Sequence, residues 1–450
     1  MKIYKSTIID VLNIALPAVG EMILYMMIGV FDTMMVGKYG GNLAVSSVGL
    51  GSEIIYTFSN ILVANGISIG ISSLVSRKIG AKKLDMAEEY ATLGFLTSII
   101  ISICVFAFLF FSSSLLFKIV GAEENIIHLG TPYMKVASIG ITFNMFMNSL
   151  NASLRGSGNT KIPLIASIII NIINISLDYI LIFGKFGVHP MGIMGAAIAT
   201  TSAQIIGFIF ILFYMYRYSA IKVRLKYIKQ LNFSMFKSLM TLSIPSALQE
   251  GAFSISRLLS NFFIVALGSF AFASNQITTS IESISFMPGW GFAVAATSLV
   301  GKKIGEKDYK KAKEYAYCSI FLATLIMLIC SLLFLVIPRF LVSLFIASSE
   351  KLVINEAIIC LMLASIEQPF MALSMVAGGI LKGSGDTKTP FKVSMFSSWV
   401  IRLPLMFIAI YIFKLPVMYA WLITGIQWVF DGSIIFILFR RHFSELSVFN

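Results

Sequence analysis

Charged side chains are what this sequence has least of. Asp, Glu, Lys and Arg make up 12% of its 450 residues against 58% hydrophobic, and the mean hydropathy is +0.89. A water-soluble chain of that length needs far more polar surface, so a string of soluble domains is excluded. Alternating polarity is also missing, which excludes a transmembrane barrel. The four cysteines (Cys104, Cys318, Cys330, Cys360) lie scattered in or beside apolar runs with no paired spacing. They read as small buried hydrophobes, not as a disulfide or metal framework. The three histidines, His128, His189 and His442, sit in connecting segments without Cys or His neighbours and make no metal site. No H-E-x-x-H, no G-x-S-G beside a His and no paired G-x-x-D supports an intramembrane enzyme, and no G-x-x-x-x-G-K-[ST] follows a strand to hold a nucleotide. The first apolar run is too long for the core of a cleavable signal and lacks a cleavage site, so it reads as a span.

What is present is a series of apolar runs long enough to cross ~30 Å of hydrocarbon at ~20 residues each. Lys and Arg number 34 against 21 acids, a net charge of +13. The excess falls in every second loop, with roughly 25 of the 34 on one side, as expected of cytoplasmic segments. It reports topology, with both termini inside, and not a nucleic-acid surface.

The chain also repeats itself. Leu154–Pro163 reads LRGSGNTKIP and Leu381–Pro390 reads LKGSGDTKTP, identical at seven of ten positions and 227 residues apart. Lys78–Ala91 (KIGAKKLDMAEEYA) and Lys303–Ala316 (KIGEKDYKKAKEYA) agree at an offset of 225. Two independent pairs at nearly one spacing mark a tandem duplication. Each is a basic, Gly-containing loop that ends one helix and starts the next. The expected fold is an all-α polytopic membrane protein of twelve transmembrane helices in two six-helix lobes. These are residues 1–216 and 238–450, joined by a basic cytoplasmic linker over 217–237. Six is even, so the lobes share one orientation. They should be related by a pseudo-twofold along the membrane normal, a geometry that suits alternating access. A short outer loop is expected over Gly37–Leu50.

Polar groups within the spans are few, and a mid-membrane acid costs at least ~2.5 kcal/mol. Asn171, Asn174 and Asp178 form one stripe on the fifth span. Asp32 and Asp178 lie about five residues from the outer ends of their spans and Thr200 about seven from its own; at ~1.5 Å per residue all three share one depth within a turn. Two carboxylates, an amide and a hydroxyl at one level can hold a hard cation such as Na⁺, or share a proton. Sodium coupling needs both acids ionised; proton coupling needs one of them to carry the proton. Glu21 lies ~16 Å deeper on almost the same face and reads as a relay or as the wall of an inward cavity. In the second half, Glu250, Arg257, Glu282, Glu367 and Arg402 all fall inside spans. Either the five form a structural network, or the arginines pair with two glutamates and the remaining negative character faces a cavity and favours cationic substrates. Pro17 removes a backbone hydrogen bond early in the first span and permits a bend. Most of the 38 Phe and 23 Met read as lipid-facing filler, with some suited to an adaptable apolar pocket.

Several stretches now act together: the duplicated loops, Phe31–Gly37 (FDTMMVG) after an early proline, Asn174–Asp178 (NISLD), Gly195–Thr200 (GAAIAT), Ile281–Gly289 (IESISFMPG) and Arg402–Pro404 (RLP). In combination they resemble the multidrug and toxic compound extrusion (MATE) transporters over essentially the whole chain. The resemblance implies export of amphipathic, drug-like compounds in exchange for Na⁺ or H⁺, without a cofactor or a nucleic-acid partner. It also implies a single chain in a bacterial plasma membrane, to which the excess of Lys over Arg adds. Within the family the chain looks most like DinF-related and archaeal members. Their N-terminal-lobe ion site matches Asp32, Asn174, Asp178 and Thr200, and their bending proline matches Pro17. Phe253 and Met371 stand where the NorM-like branch carries Glu and Asp, so a C-terminal-lobe cation site of that type is not implied. A lipid-linked-sugar flippase of similar architecture is the alternative. For an anionic lipid-linked substrate it should carry a cluster of cavity cations, where this chain has Arg257 and Arg402.

Overall fold

The structure is a computed structural model that describes residues 4–228, 232–346 and 351–448. Lys2 and residues 229–231 of the expected linker lie outside them. Among the described residues ten helices are long and apolar enough to cross a membrane: α1 Lys5–Gly41, α2 Leu43–Gly80, α3 Leu84–Ile119, α5 Lys161–Phe183, α6 Ile193–Arg217, α8 Ser269–Gly305, α9 Tyr309–Val336, α10 Lys351–Ser384, α11 Lys388–Ile412 and α12 Met418–Glu445. Two more of 33 residues each, α4 Glu124–Gly156 and α7 Phe233–Val265, complete the twelve that the sequence leads one to expect. They are less apolar because they bury polar groups; Ser138, Asn144, Ser149, Asn151 and Ser153 of α4 are all shielded.

The outer loop expected over Gly37–Leu50 does not form. Helix continues on both sides of a single break at Gly41 (φ 62°, ψ −155°), a backbone that glycine takes at no steric cost. One residue separates α1 from α2.

The chain gathers into two compact units, Gly20–Ala247 and Met1–Val19 with Leu248–Asn450. These differ from the expected halves at one place each. Met1–Val19 groups with the second half, and the start of α7 groups with the first. Both crossing points fall two residues beyond a proline inside a helix, Pro17 in α1 and Pro245 in α7. Proline removes a helical hydrogen bond and is where a long helix can change direction. Each of these helices therefore belongs to one unit before its proline and to the other after it.

The cores follow this exchange. In Gly20–Ala247, Ile71 and Leu74 of α2 pack with Tyr90 of α3 and with Leu239 and Leu242 of α7. In the other unit, Val11 and Ala15 of α1 pack with Phe292 and Ala296 of α8 and Val376 of α10. Glycine lets helices approach closely there: a Cβ on Gly291 would stand 2.6 Å from the Val19 amide nitrogen.

The duplicated loops share one geometry. Gly158 (φ 86°) and Gly385 (φ 102°) reverse the chain. Behind them the amides of Asn159 and Asp386 donate to the carbonyls of Leu154 and Leu381, at 2.9 Å in both copies. The Asn159 and Asp386 side chains then accept from the amides of Ile162 (3.3 Å) and Thr389 (2.9 Å), capping the next helix.

Candidate functional site

The three residues placed at one depth by helix rise meet in the Gly20–Ala247 unit, with Asn174 beside them. Thr200 Oγ1 on α6 donates to Asp32 Oδ2 on α1 at 2.8 Å, and Asn174 Nδ2 on α5 donates to Thr200 Oγ1 at 3.1 Å. The Asp32 and Asp178 carboxyls lie within hydrogen-bond reach of each other. Asn174 and Asp178 are wholly buried and Asp32 is 5% exposed. Four oxygens remain buried without an N–H or O–H donor: Asp32 Oδ1, Asn174 Oδ1 and both of Asp178. Buried acceptors are normally satisfied, so this cluster has room for something that supplies positive charge. A proton on one carboxyl would bridge the pair, and the oxygen set also suits a hard cation.

The rest of the stripe on α5 is structural. Asn171 Nδ2 donates to the carbonyls of Leu24 (3.0 Å) and Ser167 (2.8 Å), tying α5 to α1. Glu21 has a partner that the sequence did not disclose. Its Oε1 receives Arg155 Nη1 from the duplicated loop at 2.8 Å, with both side chains under a tenth exposed. Tyr56 and Tyr133 stand close to Asp32, and Tyr25 packs edge-on to Tyr56 at 5.8 Å. Nothing in the pattern of aromatic residues separated these three from lipid-facing ones.

The Leu248–Asn450 unit holds a second carboxyl pair. The carboxyls of Glu282 on α8 and Glu367 on α10 lie within hydrogen-bond reach of each other, with the buried guanidinium of Arg402 on α11 near both; neither Glu367 oxygen has a donor. The five charged residues expected in these spans thus include two glutamates that face each other beside an arginine. Arg402 ends a π-helical stretch, Ser397–Arg402, and its Nε has no hydrogen-bond partner. Glu250 faces Lys382, the counterpart of Arg155 in the second duplicated loop, and then Arg257. Glu282, Arg257 and Arg402 line a cavity of about 230 Å³ whose apolar wall includes Trp290, Trp421 and Trp428. The sequence reading passed over Asp431, buried in mid-α12 with Oδ2 3.4 Å from Ser397 Oγ. An acid in the middle of an apolar run was the available signal.

A duplicated set of twelve helices with buried carboxyl pairs inside the spans is the build of an ion-coupled secondary transporter in a membrane. Comparison with known proteins narrows that class. The MatE family matches twice, over residues 17–180 and 245–408, so that each match begins at a helix-bending proline. The chain belongs to the MatE family. It is 29% identical to the probable multidrug resistance protein NorM of Thermotoga maritima, over 92% of this chain and 88% of that one. It is 26% identical to the uncharacterized transporter YisQ of Bacillus subtilis, over 90% of each. In fold it matches an outward-facing multidrug resistance MATE transporter of the MOP superfamily (TM-score 0.90, 22% identity, 99% of both chains). A MOP-superfamily transporter of Pyrococcus furiosus, described as having a binding pocket of reverse polarity, matches with TM-score 0.89 and 22% identity over 99% of this chain and 100% of that one.

Proposed function

We propose that this protein exports amphipathic, cationic drug-like compounds by alternating access, coupled to entry of a cation at Asp32, Asn174, Asp178 and Thr200. The observation that carries this is the meeting of Asp32 and Asp178. Two buried carboxyls within bonding reach, with no Lys or Arg among the groups found around them, need a positive charge from outside. A carboxyl–carboxyl hydrogen bond exists only with a proton in it, which favours H⁺ as the coupling ion. The four donor-free oxygens favour Na⁺ as the second reading. The resemblance of these four residues to the ion site of DinF-related members supports this reading. The names of the relatives and the aromatic cavity beside Glu282 support small amphipathic substrates. The positive-inside charge pattern supports a bacterial plasma membrane with both termini inside, and the completeness of each unit's site supports action as a monomer.

The test is drug efflux from reconstituted vesicles under a proton gradient and, separately, a sodium gradient. Export driven by one gradient, lost in Asp32→Asn or Asp178→Asn, supports the assignment. Normal coupling in both variants would move the ion site to the second unit. Movement of labelled lipid with neither gradient driving drug would favour the flippase.

A further inference from the structure

The basic end of the Gly20–Ala247 unit holds a cavity that includes none of Asp32, Asn174, Asp178 and Thr200. Its volume is about 530 Å³, and Arg77 and Lys78 of α2, Tyr90 of α3, and Lys237, Ser238 and Thr241 of α7 line it. Leu74 and Leu242 add an apolar side, and no acid is among the lining residues. Among the described residues none of the three cations has an ion-pair partner. Lys78 Nζ sits 5.9 Å from the Tyr90 ring centroid, and Arg77 Nε donates to the Ser73 carbonyl at 3.2 Å. Two acids of the following segment are engaged elsewhere. Glu88 pairs with Arg224 at 2.7 Å, and Asp85 receives the Tyr227 hydroxyl at 3.2 Å with Lys226 at 3.9 Å.

The duplicated copy shows what changed to make this cavity basic. There Lys303, the counterpart of Lys78, is paired with Glu306 at 2.6 Å; Ala81 stands in place of that acid. Tyr315, the counterpart of Tyr90, donates to Asp10 at 2.7 Å. Asp10 lies seven residues before Pro17, and the residue seven before Pro245 is Ser238, next to Lys237. Two acids of one copy are thus Ala and Ser in the other, and Lys78, whose counterpart is paired, has no acid beside it.

We propose that this cavity binds the phosphate headgroup of an anionic phospholipid from the leaflet on the basic side. Arg77, Lys78 and Lys237 supply charge-assisted bonds to the phosphate oxygens. The hydroxyls of Ser238 and Thr241 donate to the carbonyls of Ser234 (2.9 Å) and Lys237 (2.7 Å), so the three cations carry the binding, and the acyl chains leave along Leu74 and Leu242. The apolar side and the position at helix ends, where hydrocarbon meets water, select a lipid over a soluble phosphate. A bound lipid would brace the first turns of α7 against α2 and α3.

The experiment is native mass spectrometry of the purified, delipidated full chain in neutral detergent. It would be titrated with phosphatidylglycerol or with phosphatidylcholine of the same chains. Phosphatidylglycerol should be retained about tenfold better, and the preference should vanish in Arg77→Gln/Lys78→Gln/Lys237→Gln while surviving in Lys310→Gln/Lys313→Gln. Equal retention of the two lipids by the wild type would overturn the proposal, whether or not the triple variant folds. So would an equal loss in the Lys310/Lys313 variant, which would mean diffuse attraction. Displacement by glycerol phosphate at millimolar concentration would assign the cavity to a soluble anion and overturn the lipid. No gradient or drug enters this assay, so its failure is separate from failure of the transport reading.

Discussion

The two units repeat one plan and differ in what faces their buried acids. In Gly20–Ala247, Asp32 and Asp178 meet a hydroxyl and an amide, and the charged pair nearest in sequence, Glu21 with Arg155, is closed upon itself. In the other unit, Glu282 and Glu367 meet beside a resident guanidinium. A carboxyl pair without a resident cation must draw its positive charge from solution, so its occupancy can follow a gradient. One that already has an arginine is partly neutralised within the fold and can keep its charge through a cycle. The same divergence runs the other way at the basic ends, where Lys303 has Glu306 and Lys78 has no acid.

The comparison breaks most clearly at the carboxyl pairs. Asp178→Asn should reduce gradient-driven efflux to vesicle leak, whereas Glu367→Gln should keep the response to the gradient and shift only the apparent drug affinity. Loss of gradient dependence in Glu367→Gln would show that both pairs couple.

The next largest effect is at the ion pairs behind the prolines. Glu21→Gln strands a buried guanidinium and should cost about 3–5 kcal/mol, read as thermal unfolding in detergent. Glu250→Gln should cost less, because Glu250 is half-buried and its site is shared between Lys382 and Arg257. The double variant Glu21→Leu/Arg155→Met should recover most of the loss, since it removes both charges at once.

A smaller contrast sharpens the duplication itself. A Cβ on Gly383 would meet the Thr297 carbonyl oxygen at 2.5 Å, and one on Gly156 would meet the Ser72 carbonyl oxygen at 3.0 Å. Alanine at each should destabilise by about 1–3 kcal/mol, with Gly383→Ala the more damaging. Equal melting temperatures would show that the second unit's helices can part to make room.

Much of this was legible in advance for a definite reason. Hydropathy counted the spans because burial in lipid is required of every residue along a spanning helix. Helix rise put Asp32, Asp178 and Thr200 at one level because depth is linear in residue number. The duplicated loops announced their own turns, since Gly158 and Gly385 occupy a backbone that glycine adopts without strain. Asn171 was drawn into the stripe with Asn174 and Asp178, yet it bonds backbone carbonyls; periodicity places a side chain on a face without naming its partner there.

The sequence by itself determined the class, the count of twelve helices, the duplication and the depth of the carboxyl site, all properties of local composition and of a constant rise per residue. Only the tertiary structure decided that Glu21 closes on Arg155, that Glu282 comes to face Glu367, and that α1 and α7 change units two residues beyond Pro17 and Pro245. Those outcomes depend on the rotation of each helix about its axis and on the direction of each bend. Both are set by how side chains interlock with neighbours far away in sequence, and no repeat length records them.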